Sequence, residues 1–455
     1  MSVQIIPPGR RRALRRITLG GEMASNRSMA LACAIGCLAA MGLSACGSDD
    51  GGNTSPSTTP PATPAAATTS GGAKAASGTP LKVLVSSFVD SPIGSVPEVW
   101  AGAEVAAASI NAKGGVNGHP LEVVRCNGKG DPKAELACGR KGVSEGVIAS
   151  DSNVFVVNPQ GALQVLDRGG VTDVAGATGT PALYSLPSMY PIEFSAAVQN
   201  ACVSKQALDS AGPDVKFGVI VGENPYSAGS WALMERYIKS DPAVGAKFAG
   251  SVSSPATTDD FSSLVQSLAD KGTNYVVVDL PPADAARFVT AAGTSGKKWT
   301  MCADGGLFGP QLLKKLGPLT KSFLTVLGLP PVASAAQDPL IQQFVDEMKA
   351  ALDAGNKDAS IEINHSNSLR SWLGMHVIAD VAKTVKGDVT TKSFAAAMKT
   401  AKVDLDYSTI DFAEARGTAP YQRVFQPNAF ISKWNGDQKQ FDGIGQVNLL
   451  DLLGK

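Results

Sequence analysis

From Pro80 onward, short segments rich in β-branched residues alternate with longer stretches of helical character, and no other feature of the 455-residue chain constrains the fold as much. LKVLV (81–85), LEVVR (121–125), VFVV (154–157) and VTDVA (171–175) form a first series of strand-like segments. KFGVIV (216–221), KFAGSV (247–252), YVVVDL (275–280), KWTMC (298–302) and FLTVLGL (323–329) form a second. Stretches such as VWAGAEVAAASIN separate them, and strands joined through helices pair in parallel with both faces covered. About 375 residues exceed one ordinary core of this kind. The pattern predicts an α/β protein with two doubly wound parallel-sheet lobes.

The residues before Pro80 have a different character. Met29 to Ala45 is uncharged and rich in small residues, short for a membrane span and suited to the apolar region of a signal peptide, with Arg27 as its positive flank. Leu43-Ser44-Ala45-Cys46 resembles the bacterial lipobox, whose cysteine becomes the lipidated first residue after cleavage. Residues 1–45 are therefore read as a signal peptide. The cluster Arg10, Arg11, Arg12, Arg15 and Arg16 lies far upstream of the apolar run, so Met1, Met23 and Met29 all stay open as starts, and a twin-arginine export signal is an alternative. Gly47 to Thr79 is dominated by Ser, Thr, Pro, Ala and Gly, which bury too little apolar surface to repay their ordering entropy. With Cys46, residues 46–79 form a lipidated, disordered tether whose flexible span is roughly 30–35 Å. An extracytoplasmic protein anchored to the cell membrane through Cys46 follows from this reading.

Charge and cysteine usage agree with export. The chain carries 40 basic and 40 acidic residues, and removal of residues 1–45 takes six Arg and one Glu, leaving 34 against 39. An excess of about five negative charges gives nucleic acid nothing to hold. Cys126, Cys138, Cys202 and Cys302 remain after Cys33, Cys37 and the lipidated Cys46 are set aside. Four cysteines in an oxidising compartment form two disulfides in one of three connectivities. Proximity favours Cys126 with Cys138, which leaves Cys202 with Cys302.

AGAEVAAASINAKGGVNGHPLEVV (101–124) looks like the first helix, glycine turn and second strand of the type I periplasmic binding proteins, above all the branched-chain amino acid binding proteins of ABC transporters. DPKAE, ENPYSAG, TTDDFSSLVQSL and HSNSLRSWLGMHVIAD continue the similarity in order. The resemblance implies a three-segment hinge with passages near Phe194, Gly328 to Pro331 and Thr409 to Phe412. Lobe one would then be 80–194 plus 331–409, and lobe two 195–330 plus 410–455. It further implies a monomer that captures a small polar ligand, an amino acid or related metabolite, for the permease subunits of an ABC importer, with no cofactor. Open parallel sheets bind ligands beyond the carboxyl ends of their strands, which nominates Ser87, Asn158 and Gln160 among the loop residues. The family correspondence adds Thr178 or Thr180 against a ligand carboxylate, and Tyr226 and Asp304 toward an ammonium group. NPQGALQV after VFVV is shorter than the family's serine-rich loop, and Pro281-Pro282 replaces a tyrosine-bearing turn with residues that donate no backbone hydrogen bond.

Other functions are open to the same sequence. Gly142-Val143-Ser144-Glu145-Gly146 matches G-x-S-x-G, which would make Ser144 a hydrolase nucleophile, but the motif requires a strand before the serine and here a helical stretch precedes it. His365 and His376 share a helical face yet lie about 16 Å apart along its axis, and His119 sits in a turn, so no zinc spacing is formed. A ligand-sensing module that reports to a signalling partner would use the same lobes as a transport protein.

Overall fold

The computed structural model describes residues 75–177 and 179–453, so the expected signal peptide, Cys46, most of the expected tether and Thr178 lie outside the described residues. Two sheets organise the chain. The first, in the order β2-β1-β3-β4-β5, is built from β1 (Leu81–Ser87), β2 (Leu121–Asn127), β3 (Ala149–Asp151), β4 (Thr172–Val174) and β5 (Met189–Tyr190). All its pairings are parallel. The second comprises β6 (Phe217–Gly222), β7 (Phe248–Ser254), β8 (Tyr275–Asp279), β9 (Thr300–Asp304) and β10 (Phe323–Leu327), extended at one edge by β13 (Asn428–Asn435) and β14 (Gln440–Asn448). It runs parallel from β7 through β10, and β13 and β14 add to β10 antiparallel. A hairpin of β11 (Lys402–Asp404) and β12 (Thr409–Asp411) stands apart.

Burial explains why these segments are strands. Val83, Leu84 and Val85 of β1 and every residue of β8 are buried, as parallel strands covered on both faces must be. Side-chain caps set where helices begin: Asp131, Asn158, Asn224 and Asp338 each accept backbone N–H bonds from the helix that follows, and each is followed by proline at the first helical position. After the helix Glu98–Ala112, Gly114, Gly115, Asn117 and Gly118 all take positive φ, turning the chain into β2.

The lobes are joined by three passages. Residues 191–194 follow β5, residues 328–331 follow β10, and residues 412–427 lead from β12 to β13. The helix Ile361–Lys383 packs across Glu98–Ala112 so closely that a Cβ at Gly102 would lie 2.2 Å from the Ser368 carbonyl oxygen. Its first turn is broken at Asn364, whose Oδ1 accepts from the amides of Ser366 and Asn367 and so starts the helix afresh.

One strand expectation is corrected. VFVV (154–157) is not a strand; the strand there is Ala149–Asp151, five residues earlier. The cause is a side chain. The carboxylate of Glu135, fully buried on the helix Pro132–Ser144, accepts from the amides of Val156 at 2.8 Å, Val157 at 3.0 Å and Asn158 at 2.5 Å. Those amides are thereby removed from any ladder.

Disulfides join Cys126 of β2 to Cys138 of the helix Pro132–Ser144, and Cys202 to Cys302 of β9. No described helix is long and apolar enough to cross a membrane.

Candidate functional site

A cavity of about 410 Å³ lies where the carboxyl ends of both sheets face each other. Phe88 after β1, Ile93 and Val96, and Val154, Val156 and Val157 form an apolar wall on the first lobe. Leu280, Pro281 and Leu307 continue it on the second. The loop 154–157 keeps its place because Glu135 holds its amides, so a buried carboxylate behind the wall shapes the cavity in front of it.

The polar lining is concentrated in a few groups. Tyr226, early in the helix Pro225–Ser240, donates its hydroxyl hydrogen to Asp304 Oδ2 at 2.8 Å, and the amide of Gly306 donates to Asp304 Oδ1 at 2.8 Å. Burial raises the Asp304 carboxyl above its usual range, against these two hydrogen bonds and the field of Arg370. Glu193, in the first passage, is raised in the same way and for the same leading reason. Arg370 donates from Nη1 to Glu193 Oε1 at 3.3 Å and from Nη2 to Asn367 Oδ1 at 2.9 Å. Asn367 Nδ2 in turn donates to Glu98 Oε1 at 3.1 Å. Glu98 is buried with its other oxygen unpartnered, and its carboxyl is pushed up to about 7, chiefly by burial.

The passages meet this cluster. A Cβ at Gly328 would lie 2.2 Å from Glu193 Oε2, so the second passage fits under the first only as glycine. Gln426 of the third donates to the Gly328 carbonyl oxygen at 3.4 Å. Asn364 reaches the other lobe, donating to the Gly306 carbonyl oxygen at 2.5 Å.

The structure brings Tyr226 and Asp304 together in the cavity lining. Ser87 is buried behind it and donates to the Val96 carbonyl oxygen at 2.6 Å. Asn158 caps the helix Pro159–Arg168, while Gln160 is exposed on that helix. Thr180 caps the helix Pro181–Ser185, and its neighbour Gly179 lies against the Tyr226 ring. Sequence reasoning did not find Glu193, Asn367 and Arg370. HSNSLRSWLG carried the signal, since charge within an otherwise small and apolar helical stretch marks a side chain with a buried partner.

The hydrolase motif ends a helix: Ser144 is the last residue of Pro132–Ser144, and its hydroxyl donates to the Lys141 carbonyl oxygen at 3.1 Å. His365 packs edge-on against Phe441 and His376 against Trp372. Among the described residues no three His, Cys, Asp or Glu side chains gather as a metal site.

Comparison with known proteins gives a consistent result. Residues 80–437 match the family model described as periplasmic binding protein. The Leu/Ile/Val-binding protein of Escherichia coli is 23% identical over 273 residues, covering 59% of this chain and 72% of that protein. A structure described as a possible leucine/isoleucine/valine-binding protein from Rhodopirellula baltica superposes with a TM-score of 0.66 at 16% identity, covering 82% of this chain and 98% of that one. The fatty acid ABC transporter substrate-binding protein from Thermomonospora curvata gives 0.67 at 16% identity, covering 82% and 94%.

Proposed function

The chain belongs to the periplasmic binding protein family, and from that premise we propose that it is the extracytoplasmic solute-binding component of an ABC importer. It captures a small polar ligand, an amino acid or related metabolite, by closing two lobes over it and presents it to the permease subunits. The observation that carries the reading is the cavity between the lobes, apolar over most of its wall and bordered by the Tyr226–Asp304 pair. Its volume suits a small metabolite. An ammonium group buried there needs an acceptor, since an unpaired charge costs several kcal/mol. Asp304 supplies one, with Tyr226 orienting it. The Leu/Ile/Val-binding relative and the apolar wall favour a ligand with an apolar side chain.

A thermal-shift panel of amino acids, amides, polyamines, sugars and organic acids tests this. Amino acids with apolar side chains raise the melting temperature of the wild type, and Asp304→Asn loses that rise for compounds bearing an amino group. A full rise in Asp304→Asn sinks the amino-group contact. The protein acts as a monomer, carried by a lipid on Cys46 at the end of its tether, a placement supported by the lipobox-like Leu43-Ser44-Ala45-Cys46. Cys46→Ala should release it from the membrane fraction, and unchanged fractionation would refute the anchor.

A further inference from the structure

This inference rests on the reading above and concerns how the same cleft takes hold of a ligand's acidic end. An α-amino acid carries its ammonium and carboxylate on one carbon, so the groups that read them must sit together while the side chain points elsewhere. The lining has that division: Asp304, Tyr226, Glu193 and Arg370 form the polar part, and Arg370 lies close enough to Asp304 and Glu193 to act on both carboxyls.

The loop after β3 cannot serve the carboxylate. Its amides at Val156, Val157 and Asn158 already bind a carboxylate from inside the protein, that of Glu135. A ligand carboxylate placed there would have to displace it.

Arg370 has donors to offer. It is 4% exposed and borders the cavity. Its Nη1 and Nη2 make one hydrogen bond each and its Nε makes none, so three of the five N–H groups of a guanidinium are uncommitted. The bond to Glu193 is single and long, at 3.3 Å, rather than a bidentate pair. It is also the one Lys or Arg among the described lining residues.

We propose that Arg370 is the anchor for the carboxylate of the ligand whose ammonium group Asp304 and Tyr226 receive. The side chain lies against Phe88, Ile93, Val96 and the 154–157 loop. Both charges are read from one place, at the passages between the lobes.

Calorimetric titration of the full chain with leucine and with leucinamide, which keeps the amine and lacks the carboxylate, tests this. Wild type should bind leucine at least about 10-fold more tightly, the factor expected for one charge-assisted hydrogen bond. In Arg370→Gln the preference should fall to within about threefold, while Asp304→Asn weakens both compounds and keeps the preference. Removal of Arg370 alone strands Glu193, so Glu193→Gln/Arg370→Gln, which neutralises both members, is measured beside it and should also lose the preference. Equal binding of leucine and leucinamide by wild type overturns the assignment of Arg370 and leaves the transport reading standing, as does a folded variant without Arg370 that keeps the preference. Failure of wild type to bind either compound overturns both.

Discussion

At the scale of single residues, Glu135 shows how a side chain can replace a strand partner. Its carboxylate takes the amides of Val156, Val157 and Asn158 and fixes the apolar wall of the cleft from behind. Hydrogen bonds to a charged group contribute about 1.5–3 kcal/mol, and stranded amides add a penalty. Glu135→Ala should therefore lower the unfolding free energy by about 3 kcal/mol in chemical denaturation and weaken ligand binding as the wall loosens. Glu135→Gln keeps one acceptor oxygen and should cost about half as much. An alanine variant with wild-type stability and affinity would show that the loop holds itself. VFVV has the composition of a strand, so nothing local in the sequence reveals that a carboxylate some twenty residues earlier has claimed its amides.

At the scale of elements, most of the strands were legible. Segments such as LKVLV and YVVVDL are buried on both faces, and a continuous β-branched run is what parallel pairing selects. β13 and the edge strand β14 were not: in β14, Gly443, Ile444, Gln446 and Asn448 are exposed, so no continuous buried run marks it. At the site, Tyr226 and Asp304 were legible through motifs that keep them at the carboxyl ends of β6 and β9. Glu193 and Arg370 were not, since their pairing spans 177 residues of sequence and depends on how the lobes are joined. The disulfides also act between elements. Cys126–Cys138 closes a loop of 12 residues and Cys202–Cys302 one of 100. In the chain-entropy model the shorter contributes about 3 kcal/mol and the longer about 4.7 kcal/mol. Replacing each pair by serine and comparing denaturation midpoints should show the larger loss for Cys202 and Cys302; the reverse order would mean that native packing, rather than loop length, sets their worth.

At the scale of the whole molecule, the balance of buried charge is uneven. Burial pushes the carboxyls of Glu98, Asp173 and Asp279 up to about 7 and that of Asp151 well above its usual range, and it raises Glu193 and Asp304. It also pushes His365 and His376 down to about 4. Above about pH 4.5 the unfolded chain releases carboxyl protons that the folded protein keeps, so these groups stabilise the fold less as pH rises toward and past 7. The histidines act in the opposite sense between about pH 4 and 6.5, where the unfolded chain gains protons that the fold refuses. From pH 6.5 to 8 the histidine contribution fades and that of the carboxyls outweighs it. The unfolding free energy should fall by roughly 3 kcal/mol from pH 6.5 to 8, as measured by denaturation at constant ionic strength; a flat or rising profile would show that these carboxyls are ionised in the fold. The packing of Gly328 beneath Glu193, with Gln426 bonded to Gly328, has a consequence for how the protein can change its diet. Glu193 belongs both to the joint and to the polar cluster that lines the cleft, so a substitution at Glu193 or Arg370 that altered selectivity would also alter how readily the lobes swing apart and let cargo go. The 154–157 wall is tied to Glu135 instead, away from the joint, and leaves room for new tastes to evolve without retuning release.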